Sequence, residues 1–484
     1  MRTAAFLTLP LTLALVLAGC ASTGGIAPTE TLHTPAQAGA VAHEDISWPA
    51  SRWWTAWGDP QLDALIARGL AEQPGLAAVQ ARIAQAEAGV GAAGAARRPQ
   101  VNAAVDLTDQ RFTKNGMVPA PLAGSTEWNN SAQVSASWEL DLFGRQRAAL
   151  DAAIGRLRAA QAERQAAELL LAGNIATAYV SLGRQLALRT LLQHGLDQRE
   201  QVLALVRQRI TAGLDTTVEQ RQAEGVIAQT RVEIEALSEQ IARTRHALAA
   251  LSGQGPQALA DFAPPLATVA SMPLPQGLPA DLIGRRADLV AQRWRVEAAL
   301  KDVDLARTQF YPNVNLVAFV GLSSLGLDRF IESGSRTYGA GPALRLPIFD
   351  GGRLRANLKA QSAAVDAAVD GYNDALLQAL REVADEVASL QSLERQQAEQ
   401  VKALAAAESA FDLALQRYRA GLGNFLVVLT AEGNVIAQRR VSVELKARHL
   451  TAEVALTRAL GGGYRTDDFG AEPAPRTVAA APAR

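Results

Sequence analysis

Residues able to catalyse a reaction or to bind a metal are few and widely separated in this chain. The five histidines stand at positions 33, 43, 194, 246 and 449, which is not the spacing of a metal-ligand motif. The single cysteine, Cys20, excludes an internal disulfide and any Cys-x-x-Cys metal or redox motif. Gly461-Gly462-Gly463 precedes no Lys-Ser/Thr pair, so it indicates a helix stop rather than a phosphate-binding loop. We therefore expect no enzyme activity, no cofactor and no metal site.

Cys20 does have the surroundings of a covalently modified residue. Arg2 supplies a positive end, and residues 6–17 form an apolar run that is too short to span a membrane as a helix. The run ends in Leu17-Ala18-Gly19-Cys20, which resembles a bacterial lipobox, where the cysteine becomes the lipidated first residue. An ordinary signal peptide is the alternative, but the only cysteine stands where the lipobox requires it. Ser22 favours the outer membrane by resemblance to known lipoproteins.

The overall composition favours long helices and gives no indication of nucleic-acid binding. The formal net charge is −1 at pH 7, and hydrophobic residues make up 49% of the chain but aromatic residues only 5%. Alanine supplies much of the apolar fraction, which suits closely packed helices better than a thick globular core. After the signal there is no unbroken run of about 18 apolar residues, so no transmembrane helix is expected.

The Asp59-Pro60 pair predicts a helix start, with Asp59 as the N-cap and Pro60 at the first helical position, and this helix is expected to run to about Ala96.

Two segments that follow this first helix alternate with the period of a β-strand. Residues 101–107 alternate in part, and residues 131–142 have apolar side chains at every even position and polar ones at every odd position. This pattern predicts a sheet with one wet face. Trp128 and Trp138 lie on the apolar face, and aromatic residues at both ends of an apolar band are typical of membrane barrels. A soluble sheet with one wet face is an equal alternative from this stretch alone.

Long helical segments follow the strands in both halves of the chain. Residues 144–211 contain no proline, and a matching helix is predicted over about 352–419, so each would be roughly 100 Å long. A Gly-Leu turn ends each one, at Gly213-Leu214 and at Gly421-Leu422, and a shorter helix then runs back. Apolar residues at 3-4 spacing predict coiled-coil packing of these helices.

These elements occur twice, which predicts one duplicated architecture rather than several domains. Residues 289–314 align without a gap on residues 76–101 at an offset of 213. The predicted division is a signal peptide at 1–19, a lipidated tether and equatorial segment at 20–60, a first repeat at 61–252, a linker at 253–280, a second repeat at 281–463 and a disordered tail at 464–484. Four strands cannot close a membrane barrel, which needs at least about eight, so membrane insertion requires oligomerisation.

With these elements established, the chain resembles the TolC-type outer-membrane factors, of the lipidated (OprM- and NodT-like) class that serves tripartite drug efflux pumps. The resemblance covers nearly all of the mature chain. It rests on residues 53–66, the helix-to-strand breaks at Pro99 and Pro312, and residues 278–289, 341–353 and 459–463. Ala287 stands where the family usually has proline, which costs little because that proline mainly presets a helix start.

The resemblance implies an α+β membrane protein in the cell outer membrane that passively conducts drugs and other toxic small molecules. Three copies would form a twelve-stranded β-barrel that continues into a periplasmic α-helical barrel. The implied partners are a periplasmic adaptor and an inner-membrane pump of the resistance–nodulation–division type. The implied adaptor contacts are Gly213, Leu214, Gly421 and Leu422, and the implied pore-lining residues are Asn102, Asp106, Gln133, Ser135, Glu139 and Asp141.

The resemblance also indicates candidates for a gate at the periplasmic tip. Tyr418 and Leu426 match the gating tyrosine and leucine of the family, and ordinary packing between helices is the alternative role for both. Thr430 stands where the family has a gating aspartate. The charged interaction that this aspartate makes at the closed tip (the charged lock) is therefore missing here, or is replaced by one of Glu432, Arg417 or Arg419. We therefore expect a tip closed by apolar packing around Leu426 and by hydrogen bonds of Tyr418, with little dependence on pH.

Two other functions remain open from the sequence. The same channel could serve a type I protein secretion system, although the lipobox disfavours this. The chain could also be a structural lipoprotein whose coiled coils only bridge the periplasm. A strand face of alternating polar residues disfavours that second alternative, because a scaffold needs no barrel.

Overall fold

The computed structural model describes residues 22–34, 37, 49–266 and 285–464. The predicted signal peptide, the predicted lipid attachment site Cys20, the predicted disordered tail after residue 464 and much of the predicted linker lie outside the described residues. The first half contains a 3-10 helix (Trp53–Trp57), α1 (Pro60–Glu72), α2 (Pro74–Ala96), β1 (Gln100–Arg111), β2 (Thr126–Glu139), α3 (Arg145–Thr211) and α4 (Thr217–Leu251). The second half contains α5 (Ala287–Thr308), β3 (Asn313–Leu325), β4 (Arg336–Arg345), α6 (Arg353–Arg419) and α7 (Phe425–Ala459).

The helix predicted from residue 60 to about residue 96 is two helices. Asp59 caps α1 by accepting a hydrogen bond from the N–H of Gln61 at 2.9 Å, as predicted from the Asp-Pro pair. Gln73 then adopts extended backbone angles (φ −71°, ψ 120°), and Pro74 begins α2. The prediction of one continuous helix was wrong, because a proline disfavours helical geometry in the residue before it and has no N–H to donate.

The four strands form one antiparallel sheet in the order β1-β2-β3-β4. Val101 lies opposite Ala136 and Val105 opposite Ala132, while Asp106 lies opposite Ser131. Directly opposed residues of an antiparallel pair share a face, so the apolar and polar faces predicted from the alternation are both continuous across β1 and β2. In the described residues, β1 and β4 each have one edge that pairs with no strand.

The helices form four parallel layers in the same order as the strands. The two long helices, α3 and α6, each make one layer. Near the strands, α3 packs on α2 and α5, through contacts such as Arg164–Gln80 and Gly155–Ala298. Nearer the turns, α3 packs on α4 and α7 instead. Helices α2 and α4 together therefore make a third layer. Helices α5 and α7 together make a fourth layer, and α6 packs against it.

The main core lies where the short helices meet end to end. Trp53, Trp54 and Trp57 are buried there against α1, α3 and α4, and the Tyr179 hydroxyl donates a hydrogen bond to Asp59. Gly461, Gly462 and Gly463 all have positive φ, and a Cβ on Gly461 would lie 1.8 Å from the carbonyl oxygen of Arg285. The predicted helix stop is therefore also a point of close backbone packing.

Helix α3 is the one described helix whose length and composition are compatible with crossing a membrane. An 18-residue window within it has a mean hydropathy of 1.2. Half of that window is buried inside the protein, as in the core helix of a soluble protein. The expectation of no transmembrane helix considered only unbroken runs of apolar residues. A window in which apolar residues alternate with a few polar ones contains no such run but can still have a high mean hydropathy.

Candidate channel wall and tip

The polar face of the sheet carries the residues that the sequence assigned to a pore. Asn102 lies opposite Ser135, and Asp106 lies opposite Ser131, whose hydroxyl is 3.5 Å from the Asp106 carboxylate. Gln133 faces Ala104 between these two pairs. Asn102, Asp106, Gln133 and Ser135 therefore form one polar strip across β1 and β2.

The other two assigned residues lie where the sheet meets the helices. Glu139 ends β2 and accepts hydrogen bonds from Arg145 at 2.8 Å and from Gln146 at 2.9 Å. Asp141 lies beyond the strand and accepts from the backbone N–H groups of Gln146 and Arg147, at 2.8 and 2.9 Å. Asp141 thus stabilises the N-terminus of α3, where a carboxylate also interacts favourably with the helix dipole.

Strands β3 and β4 make the second half of the same face less polar, which the sequence did not indicate. Phe319 lies opposite Ser135 on one side and Gly339 on the other, so its ring is on the polar face. A Cβ on Gly339 would lie 2.8 Å from that ring, which shows that the ring covers this glycine. The alternation in β2 is regular enough to assign its faces, but the central residues 316–320 of β3 are apolar on both.

The opposite face carries an apolar band across all four strands, interrupted near Trp128 by the opposed polar residues Asn130 and Ser324. Leu316 lies opposite Trp138, and Val320 lies between Val134 and Tyr338. Trp128 and Trp138 are each 40% exposed, and Val134 and Val320 are 46% and 61% exposed. An exposed apolar band with aromatic residues at both ends matches the lipid-facing side of a membrane barrel.

The two Gly-Leu turns end the long helices in the same way. Gly213 and Gly421 have φ of 71° and 74°, which disfavours any other residue there. The N–H of Leu214 donates to the carbonyl of Arg209 at 2.9 Å, and that of Leu422 to the carbonyl of Arg417 at 2.8 Å. Both are Schellman motifs, whose leucine usually packs back on its helix. Here Leu214 and Leu422 stay 64% and 70% exposed.

A charged cluster joins the two turns inside one protomer. Arg209 donates to Asp215 at 2.9 Å, and its guanidinium lies 4.4 Å from the centre of the Tyr418 ring. The Tyr418 hydroxyl donates to the same Asp215, and Arg209 also donates to the Tyr418 carbonyl at 3.1 Å. Tyr418 is fully buried. Sequence analysis did not identify Arg209 or Asp215, since both lie more than 200 residues from Tyr418.

The electrostatics of this cluster favour an ionised Asp215 and a protonated Tyr418. Burial alone would raise the pKa of Asp215, but the hydrogen bonds from Arg209 and Tyr418 outweigh it and lower that pKa below its ordinary value. Burial and the neighbouring Asp215 raise the pKa of Tyr418. The tyrosine therefore remains a hydrogen-bond donor, and the aspartate an acceptor, throughout the neutral range.

The remaining gate candidates follow Tyr418 along the chain into α7. Leu426 is 57% exposed, so its side chain is available to another subunit. Thr430 is exposed, and its hydroxyl donates to the Leu426 carbonyl at 2.8 Å within the helix. Glu432 is buried and lies 3.5 Å from Arg199 of α3, and burial raises its pKa. The sequence had left Glu432 as one possible replacement for the charged lock, and the structure places it in the packing between α3 and α7.

Comparison with known proteins identifies what kind of molecule carries these features. The family model described as "Outer membrane efflux protein" matches residues 65–254 and again residues 278–462. The chain belongs to the outer membrane efflux protein family. The double match confirms the predicted internal repeat. Family members are efflux channels of the outer membrane rather than enzymes.

The chain is similar to several members of this family over most of its length. It is 39% identical to the fusaric acid resistance protein FusA of Burkholderia cepacia over 364 residues, 73% of this chain and 68% of that protein. It is 36% identical to the multidrug resistance outer membrane protein MdtP of Escherichia coli K12 over 429 residues, 86% of this chain and 87% of that protein. The solved structure of the outer membrane protein VceC from Vibrio cholerae matches with a TM-score of 0.81 and 36% identity, covering 86% of this chain and all of that chain.

These relatives confirm the predicted fold class and location. The chain is an α+β protein of the outer membrane, with four strands per protomer continued by long helices into the periplasm. Its function is efflux across the outer membrane. Lipid attachment at Cys20 stays a prediction, as do the roles of the individual pore, gate and tip residues.

Proposed function

We propose that three copies of this chain form one passive efflux channel, closed at its periplasmic tip until partner proteins open it. The observation that carries the proposal is the match between strand order and helix-layer order. Each strand is joined directly to the helix layer at the same position, so the sheet and the helices form one continuous wall. Among the described residues neither lateral edge of the sheet pairs with a further strand, and three copies joined edge to edge would close a barrel of twelve strands.

The tip residues support a gate made from two parts. The buried cluster of Arg209, Asp215 and Tyr418 holds the two turns of one protomer together. The exposed Leu426 lies in the first turn of α7, just past the Gly421 turn, where it would pack against its copies around the channel axis. Closure therefore combines polar contacts within each protomer with apolar contacts between protomers.

The exposed leucines of the turns support contact with a periplasmic adaptor. Leu214 and Leu422 stand at the ends of the two helical hairpins, and Val218 beside them is 59% exposed. Apolar side chains at the end of a coiled coil are suited to contact the tip of another helical hairpin, whose two helices pack together through apolar residues of their own. The adaptor would link the channel to an inner-membrane pump, the partner class that we expect to supply the substrate.

The substrate class follows from the relatives and from the wall. MdtP is named for multidrug resistance and FusA for resistance to fusaric acid, so we propose small toxic molecules as the cargo. A wall with polar residues on β1 and β2, and with Phe319 on β3, suits amphipathic molecules in water. Deletion of the gene in its host is expected to raise sensitivity to such compounds while protein secretion stays intact. Lost secretion with unchanged drug sensitivity would favour the type I secretion alternative instead.

A further inference from the structure

The two return helices, α4 and α7, carry the same three residues at the same distance from their turns. Ala223-Glu224-Gly225 lies in α4, and Ala431-Glu432-Gly433 lies in α7. Each of these glycines stands 12 residues after the glycine of the turn before it, Gly213 or Gly421. The internal repeat therefore places one glycine inside the return helix of both halves.

Packing within the protomer gives no reason for either glycine. Both are exposed, and apart from the backbone of the same helix, no described atom would lie within 4 Å of a Cβ at Gly225 or Gly433. Gly195 of α3 is different, because a Cβ there would lie 3.5 Å from the side chain of Ile436 in α7. Glycine weakens a helix relative to alanine, since its backbone gains more freedom outside the helix. Helices α4 and α7 are thus weakened at two positions where alanine would fit.

The glutamate before each glycine binds the same long helix, α3. Arg207 donates to Glu224 at 3.3 Å, and Arg199 lies 3.5 Å from Glu432. Arg199 also donates a hydrogen bond to the Thr230 hydroxyl of α4. Both return helices are therefore held on α3 beside their glycines, at points about which the segment on the turn side of each glycine can change direction.

The tip has an apolar core of its own, separate from the core around the tryptophans. Residues of α3, α4, α6 and α7 form this buried cluster, which ends at Ile227 on α4 and at Val435 on α7. Each of these residues lies two positions beyond the glycine of its helix. The next buried apolar residue of α4, Leu237, belongs to the tryptophan cluster. Because contacts within one cluster tend to break and form together, the tip can rearrange while the rest of the helices stays packed.

We propose that Gly225 and Gly433 are hinges at which the return helices bend when the tip opens. Residues 217–224 and 425–432 then change direction together with the turns, and the second of these segments carries the gate candidate Leu426. Hinges are short sets of residues that absorb changes in φ and ψ, and glycine does so at the lowest steric cost. The inference rests on the proposed gate, because it requires a tip that closes and opens.

Channel recording in a D215N background tests the hinges. D215N removes the charge of the tip cluster and is expected to open more often than the wild type. D215N/G225A/G433A adds alanine at both hinges, which favours the straight helix, so we expect it to open about five-fold less often than D215N, or less often still. D215N/V232A/V441A is the matched control, because it also replaces exposed, weaker helix formers by alanine in α4 and α7 but outside the tip core. We expect this control to open as often as D215N.

Hydrogen exchange of folded wild-type and G225A/G433A trimers gives a readout that needs no conductance. We expect exchange in residues 217–224 and 425–432 to slow by about five-fold in G225A/G433A, because the bent state becomes rarer. The thermal stability of the trimer should stay equal or rise. A less stable G225A/G433A trimer would overturn the proposal, by showing that the glycines pack against a neighbouring protomer.

Three other outcomes would each overturn the hinges. They are opening of D215N/G225A/G433A as frequent as that of D215N, an equal loss of opening in the valine control, and unchanged hydrogen exchange in G225A/G433A. If D215N conducts, any of these results leaves the proposed channel intact. Folded trimers that never conduct, whether as D215N or as L426A, would instead overturn the proposed function.

Discussion

Tyr418 shows how one side chain connects the ends of two long helical hairpins. Its ring packs against Phe425 with centres 5.9 Å apart, while its hydroxyl and carbonyl bind Asp215 and Arg209 of the other turn. Sequence reasoning named Tyr418 and expected it to form hydrogen bonds. It could not name the partners, because only tertiary packing brings residues separated by more than 200 positions together.

Substituting Leu426 tests the contact between protomers at the tip. L426A is expected to raise single-channel conductance, since it removes an apolar side chain that our account places at the closed axis. Truncating one packed leucine costs about 2–5 kcal/mol, enough to shift the closed–open equilibrium by more than ten-fold. L413A is the matched control, because Leu413 of α6 is equally exposed at 57% but lies above the turn. Equal conductance of both variants would show that Leu426 is no part of the gate.

Substituting Asp215 tests the contact within one protomer. D215N keeps the size of the side chain but removes the charge that Arg209 and Tyr418 bind. Hydrogen bonds to charged groups contribute about 1.5–3 kcal/mol each, so we expect at least a ten-fold shift toward the open tip. Planar-bilayer recording detects this as more frequent openings. D197N, an exposed residue of α3 well before the turn, serves as the control, and a closed D215N channel would contradict the role of the cluster.

The pKa of Asp215 predicts how this contact depends on pH. Because that pKa is lowered in the folded protein, the contribution of the carboxylate is complete above the ordinary carboxyl range and is lost only as pH falls below it. From about pH 8 to pH 5, Asp215 should therefore keep the tip equally closed. Burial raises the pKa of Glu432, so any change in this interval should come from that residue and disappear in E432Q. A pH response that persists in E432Q would contradict the prediction.

At the scale of the elements, most of the architecture follows from local patterns. Even-odd alternation assigns the faces of β2, prolines mark where helices give way to strands, and glycines mark the tip turns. The internal match at an offset of 213 then predicts the second half from the first. The break between α1 and α2 had a local signal in Pro74 that the helical composition outweighed. Close packing around Gly461 has no local signal, since it depends on where residues 285 and 286 lie.

Two glycine substitutions separate close packing from helix propensity. G461A places a Cβ 1.8 Å from the Arg285 carbonyl oxygen at a positive φ, so we expect a loss of about 2–5 kcal/mol in stability. G433A lies in α7 with no atom within 4 Å of the added Cβ, and should be neutral or gain up to about 1 kcal/mol. Thermal unfolding followed by tryptophan fluorescence measures both. A G461A protein as stable as G433A would contradict this description of the core.

At the scale of the whole molecule, one duplicated unit generates a wall whose two surfaces differ. Both repeats supply two strands, one long helix and one layer of two shorter helices, so the wall keeps its thickness from the membrane to the tip. The polar strip through Gln133 and the apolar strip through Val134 run side by side on opposite faces of β2. A single protomer leaves both faces and both edges open to solvent. Only a closed ring of protomers gives the faces separate environments, with water inside and lipid outside.

Cysteine modification during channel recording tests this separation most directly. The only native cysteine is Cys20, so Q133C and V134C each introduce one new thiol on a strand. Both are recorded in the L426A background, before and after a charged thiol reagent that cannot enter lipid. We predict that the reagent changes the single-channel conductance of Q133C and leaves that of V134C and the L426A parent unchanged. A response of V134C without one of Q133C would contradict the proposed channel wall, as would the absence of conductance from folded trimers.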